Sequence, residues 1–207
     1  MQLQQEDRRL SIMPPEPYAA LIFDCDGTLA DTMPIHYQVW TEVLASRGVT
    51  FTEEQFYSFA GRTSIEIIRM LKDTHGYDLD PTTVGQEKED LYAQLAHQAL
   101  EIQTVADVAR EHFGKVPMAV ASAGLRSIVE TTLKAVGLRH LFDVIISAED
   151  VKQGKPAPDM FLLAAERMGV PSQSCVVYED ADLGVEAARR AGMRVVDVRI
   201  LWQDPHK

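Results

Sequence analysis

The stretch Tyr18-Ala-Ala-Leu-Ile-Phe-Asp24-Cys-Asp26-Gly-Thr28 decides how the rest of the chain is read. Residues 18–23 form a short apolar run bounded by Pro17 and a glycine-containing turn, the pattern of a strand covered on both faces in a parallel sheet. Two carboxylates follow, two residues apart. At the end of a buried strand they lose solvation and repel one another unless a cation compensates. Mg²⁺, a hard ion that takes carboxylate, carbonyl and phosphate oxygens, suits that donor set. The competing structural reading is a plain turn at Asp26-Gly27-Thr28 with Asp24 as a helix cap.

Working outward, similar apolar runs recur at residues 117–121, 144–147, 175–178 and 194–198, each separated from the next by a stretch of helical period. This alternation predicts an α/β fold built on a doubly wound parallel sheet. Three of the runs end in chemically useful residues: Asp24 and Asp26, then Ser122, then Glu179 and Asp180. In open parallel sheets ligands bind beyond the carboxyl ends of the strands. A second acidic pair at a second strand end favours a metal cluster over two unrelated turns. The hydroxyl of Ser122 and the backbone N–H groups beside it, at Ala123, are suited to hold phosphate oxygens. Lys155 lies between two prolines and a glycine in KQGKPAPD, a stiff segment that would fix an ammonium near phosphate or a carboxylate; the bland alternative is a solvated loop lysine.

Residues 33–100 break the alternation. No buried strand is evident there, and apolar residues recur at helical spacing, as in Val39, Trp40, Val43 and Leu44 or Ile65, Ile68 and Leu71. An all-helical insertion over 33–100 is expected, interrupting a core made of 18–32 and 101–207 and lying over the end of the first strand as a lid. Residues 1–17 are polar and proline-rich, and are read as a flexible extension without a secretory leader.

With 207 residues the chain is long enough for one core and a smaller accessory unit. Its net charge of −11 argues against nucleic acid or anionic membrane as a partner, since both need a basic surface. Cys25 and Cys175 each fall in an apolar run, which reads as a buried thiol rather than a disulfide and fits a reducing cytoplasm. No apolar run nears the ~20 residues of a membrane span, and a monomer is expected.

Taken in order, DCDGT with Asp24 and Asp26, VASAG with Ser122, GKPAPD with Lys155 and YEDADLGVEAARRAGM with Glu179 and Asp180 resemble the haloacid dehalogenase superfamily, in particular its β-phosphoglucomutase-like branch. The resemblance spans residues 18–201 and implies a Rossmann-like core with a small helical cap. It implies that Asp24 attacks phosphorus to form an aspartyl-phosphate, while Asp26 protonates the leaving oxygen and then activates water. It also implies a Mg²⁺ held by Asp24, the Asp26 carbonyl and Asp180, with Glu179 positioning a metal-bound water. Thr32 and His36, in ADTMPIHYQVW, correspond to the branch's residues that set the acid/base aspartate.

The expected activity is Mg²⁺-dependent hydrolysis of a small phosphorylated sugar, such as fructose 1-phosphate, since the motif context is most similar to bacterial sugar phosphatases. The alternative is a sugar-phosphate mutase of the β-phosphoglucomutase type. A mutase must grip a second phosphate with an arginine shortly after the glycine of FAGRTSIEII; here Arg62 follows Gly61 directly and Ser64 stands where that arginine is expected. Arg62 and Lys88 are the cap residues expected to reach the substrate, although either would serve equally as a solvated helix charge.

Overall fold

A computed structural model describes residues 9–202. Its main sheet contains β1 (Ala20–Phe23), β4 (Met118–Ala121), β5 (Val144–Ile146), β6 (Cys175–Glu179) and β7 (Arg194–Asp197), all parallel where paired, in the order β5-β4-β1-β6-β7. The five apolar runs in the sequence are these five strands, trimmed or extended by a residue or two at their ends. From β1 the chain builds β4 and β5 to one side, then β6 and β7 to the other. The winding direction therefore reverses at β1, and the crevice of such a sheet opens beyond the ends of β1 and its neighbours β4 and β6.

Side chains alternate faces along a strand. Leu21 and Phe23 of β1 with Val176 and Tyr178 of β6 join one apolar cluster, covered by Val105 and Ala109 of α5 (Gln103–His112) and Val129 and Leu133 of α6 (Arg126–Ala135). Ala20, Ile22, Cys175 and Val177 join the opposite cluster with Met160 and Phe161 of α7 (Asp159–Met168) and Ala187 and Ala188 of α8 (Asp182–Arg190). Each fully buried Leu, Ile or Phe contributes about 1.5–3 kcal/mol, so β1, buried at every position, is a rigid base for whatever follows Phe23. Cys25 and Cys175 are buried free thiols, as their contexts predict.

Four helices fill the insertion: α1 (Met33–Ala45), α2 (Glu53–Ser58), α3 (Ser64–His75) and α4 (Pro81–Leu95). Their limits are written in the sequence. Thr52 and Thr63 form reciprocal capping boxes with Gln55 and Glu66, Asp80 caps α4 ahead of Pro81, and Gly76 ends α3 in the left-handed conformation at φ 70°. Val39, Trp40, Val43, Leu44, Ile68 and Leu71 pack in a separate apolar cluster, as their spacing predicts. Ile65 is the exception: it is 38% exposed, and Ile67 takes the inward position.

Two features depart from expectation. The insertion is tied off by a two-strand antiparallel pair, β2 (Ala30–Asp31) with β3 (Leu100–Glu101), in the register Ala30↔Glu101 and Asp31↔Leu100. The second correction concerns the extension over 1–17, expected to be flexible. Its described part is largely exposed but held at points: Ile12 is fully buried in the core cluster, its carbonyl accepts a hydrogen bond from Tyr178 Oη at 2.8 Å, and Arg194 donates to the carbonyls of Pro15 and Pro17. Residues 1–8 lie outside the described residues. Among the described residues no helix is long and apolar enough to cross a membrane.

Candidate active site

Asp24 leaves β1 with its N–H donating to the carbonyl of Tyr178 in the neighbouring strand at 3.0 Å, which holds the backbone in sheet register to the point where the side chain turns into the crevice. Glu179 and Asp180 leave β6 beside it. One carboxylate oxygen from each of Asp24, Glu179 and Asp180 lies within 4.8 Å of the others, among the described residues a grouping suited to a metal ion.

Lys155 reaches the same point from the loop after β5. Its ammonium donates to Asp24 Oδ1 and to Glu179 Oε2, both at 2.6 Å, with all three side chains buried. Burial alone would lower the lysine's pKa, but Asp24 and Glu179 raise it, so it stays charged. One lysine does not neutralise three carboxylates. Burial and then Glu179 push Asp24 well above the usual carboxylate range despite the opposing lysine, and burial and Glu179 push Asp180 up to about 7. The site has a deficit of positive charge, and its donors are hard oxygens only. Both properties fit Mg²⁺.

The metal contact expected of Asp26 is its backbone carbonyl, and its carboxylate turns away from this cluster. Its Oδ1 accepts hydrogen bonds from Thr32 Oγ1 at 2.8 Å and from His36 Nε2 at 3.2 Å, and its Oδ2 lies 3.5 Å from the Ser122 hydroxyl. Burial raises the pKa of Asp26, yet the hydrogen bond and charge of His36, the Thr32 hydroxyl and the charge of Lys88 together hold it at about 2. Burial and Lys88 lower His36, so the imidazole is neutral near pH 7 and donates from Nε2. Its ring is stacked 4.1 Å from that of Tyr92, whose Oη bonds Thr132 Oγ1 at 2.9 Å. A residue of α4 thereby links the imidazole to the core helix α6.

The loop after β4 is narrower in its offer than the sequence suggested. The Ser122 N–H donates to the Ile146 carbonyl at 3.0 Å and that of Gly124 to the Ser122 hydroxyl at 3.1 Å, so the expected backbone contact to phosphate rests on Ala123. Arg62 and Lys88 both line the cavity that holds Asp24, Asp26 and Ser122. Arg62 Nε is buried there without a partner among the described residues, whereas Lys88 is paired with Glu89.

Several residues escaped sequence reading. Thr28 donates to Asp180 Oδ1 at 3.1 Å, tying the first motif to the last. Gly27, at φ 81°, passes so close that a Cβ would meet Asp180 Oδ2 at 2.3 Å. Gly184, inside α8, leaves room for Glu179: a Cβ there would lie 2.0 Å from Oε2. Helix propensity alone favours Gly184→Ala by about 1 kcal/mol. We expect the reverse, a lower melting temperature and at least a tenfold loss of turnover, because Glu179 must leave Lys155; circular dichroism melts with phosphate-release assays check this, and an active, stabilised variant would refute it.

A family model for haloacid dehalogenase-like hydrolases matches residues 21–198, and the chain belongs to that family. It is 42% identical over 186 residues to fructose-1-phosphate phosphatase YqaB of Escherichia coli (strain K12), covering 90% of this chain and 99% of that protein. Among solved structures it resembles CbbY from Rhodobacter sphaeroides in complex with phosphate, with a TM-score of 0.79, 28% identity and 86% and 85% of the two chains covered. β-Phosphoglucomutase from Clostridium difficile shares the fold, with a TM-score of 0.77, 24% identity and coverage of 87% and 84%. The resemblance carried by the four motifs is borne out, as is the class of enzyme, a phosphoric monoester hydrolase.

Proposed function

We propose that this hydrolase is a Mg²⁺-dependent phosphatase acting on a small phosphorylated sugar, fructose 1-phosphate being the first candidate, through an aspartyl-phosphate at Asp24. The observation that carries the reading is the division of labour between two carboxylates two residues apart. Asp24 faces Lys155, Glu179 and Asp180, while Asp26 faces Thr32, His36 and Ser122, and both open on one cavity. The relative at 42% identity, named as a fructose-1-phosphate phosphatase, supports the substrate class.

In this reading Asp24 supplies the oxygen that attacks phosphorus, and Lys155 orients that carboxylate and favours its ionised form, against the burial and Glu179 charge that oppose it. Asp24, Glu179 and Asp180, with the Asp26 carbonyl, are the residues that would hold Mg²⁺, which when bound offsets negative charge on the transferring phosphoryl group. Ser122 and Ala123 take its remaining oxygens. Asp26, held at about 2, is ready as a base toward the water that attacks the aspartyl-phosphate. To donate to the leaving oxygen it must first bind a proton, which the negative charge of an arriving phosphate and the exclusion of water both favour. We assign residues 33–100 as the cap that excludes water, joined to the core 18–32 and 101–207 through the β2–β3 pair, and Thr32 and His36 as the groups that aim Asp26.

The test is phosphate release from fructose 1-phosphate, β-glucose 1-phosphate and shorter sugar phosphates, with Mg²⁺ and with EDTA. We expect release that EDTA abolishes. Conversion of β-glucose 1-phosphate to glucose 6-phosphate without release would establish the mutase instead, and release unaffected by EDTA would overturn the metal assignment.

A further inference from the structure

The cap side of the cavity carries a group that the four motifs do not account for. Glu89 of α4 is buried, with only 6% of its surface exposed, and lines the same cavity as Asp24 and Asp26. Ser64, the first residue of α3, donates to its Oε1 at 2.5 Å, and the ammonium of Lys88 donates to Oε1 and Oε2 at 3.2 and 3.3 Å. Lys88 in turn lies over the rings of Trp40 and Tyr92, 5.6 and 5.4 Å from their centroids. A buried ion pair is weak evidence for stability, since its desolvation offsets the attraction. An ion pair in the wall of a substrate cavity is better explained by what it binds.

Resting on the phosphatase reading, we propose that Glu89 is a specificity residue: it accepts a hydrogen bond from a hydroxyl of the substrate's sugar portion and turns away substrates that carry a second phosphate. An ionised carboxylate accepts at about four lone-pair positions, and Ser64 and Lys88 occupy three of them, leaving one on Oε2. The ammonium, with three donors, retains capacity for an oxygen beside it. An acceptor next to a donor matches two neighbouring hydroxyls of a polyol, and Trp40, buried beneath Lys88 at the cavity wall, helps to fix the ammonium in place. The cations on this wall are Lys88 and Arg62. Glu89 neutralises the first, so a second phosphate meets one arginine where it would otherwise meet two positive charges. The same carboxylate engages Ser64, the position where a mutase would need its arginine.

The experiment compares kcat and KM of the wild type and Glu89→Gln on fructose 1-phosphate, fructose 1,6-bisphosphate and p-nitrophenyl phosphate, the last having no hydroxyl to read. We expect the kcat/KM ratio of fructose 1-phosphate to p-nitrophenyl phosphate to fall at least tenfold, mainly through KM, and that of the bisphosphate to the monophosphate to rise at least tenfold. A purely structural ion pair would move all three substrates together, and that outcome overturns the proposal. If Glu89→Gln does not fold, Glu89→Asp, which keeps the charge but withdraws it, must lower the first ratio without raising the second. Wild-type enzyme inactive on every phosphate ester would instead reject the phosphatase reading beneath it.

Discussion

Asp24→Asn is expected to lower turnover by about 10⁴-fold or more while leaving the protein folded. Asparagine keeps the volume of the side chain and still offers Oδ1 to Lys155, which bonds Asp24 and Glu179 at 2.6 Å each. What it lacks is the charge that makes the oxygen a nucleophile. Stability should change by about 2 kcal/mol at most, because the lost attraction to Lys155 is offset by relief of the repulsion from Glu179 and Asp180 that pushes Asp24 upward. Phosphate release and a thermal melt on the same preparation check both parts. Retained turnover would remove Asp24 from the chemistry, and an unfolded variant would mean that the charge is structural.

Lys155→Met should damage the molecule in the opposite way, through stability first. The methionine fills much of the same space, but two buried carboxylates lose their 2.6 Å partner. Removing one member of a buried charge pair costs about 3–5 kcal/mol, or roughly 10 °C in melting temperature for a chain of this size. The pH dependence has a definite sign. The pKa of Lys155 is raised on folding, so the lysine does not itself titrate between pH 4 and 8, and any change across that window comes from the carboxyls it faces. Lys155 also lowers Asp24, so its removal raises that carboxyl further, and a carboxyl raised on folding costs stability as pH climbs from its unfolded to its folded value. The variant should therefore be least stable relative to wild type at neutral pH, with the gap closing toward pH 4. Melts from pH 4 to 8 test this; a gap that widens on acidification would contradict the assignment of Lys155 as the counter-charge.

The parts of the fold legible in sequence are those encoded locally. The run at 18–23 is buried on both faces because parallel strands are, and capping residues such as Thr63 and Asp80 act on N–H groups three residues away. The parts that were not legible depend on contacts between distant residues. β2 and β3 are two residues each, too short for any period, and exist because the chain leaves and re-enters the core at one place. Ile12 lies between Leu10 and Met13 in a stretch without a clear period, and only its place in the core cluster and the bond from the Tyr178 hydroxyl show that it, rather than its neighbours, is held. At the site, residue types at the strand ends were enough to nominate Asp24, Asp26, Glu179 and Asp180, and the proline-stiffened loop GKPAPD nominated Lys155. They did not reveal which way the Asp26 carboxylate turns, which is decided by Thr32 and His36. Glu89 and Tyr92 had no signal, since their partners Ser64 and Thr132 lie 25 and 40 residues away.

The account rests on a covalent role for Asp24, and acid quenching during turnover of a radiolabelled sugar phosphate with Mg²⁺, followed by peptide mapping, tests it most directly. The account predicts a labelled phosphoryl group on the peptide carrying Asp24 that disappears in Asp24→Asn. Steady phosphate release with no label on the protein, or label on a different peptide, would contradict it.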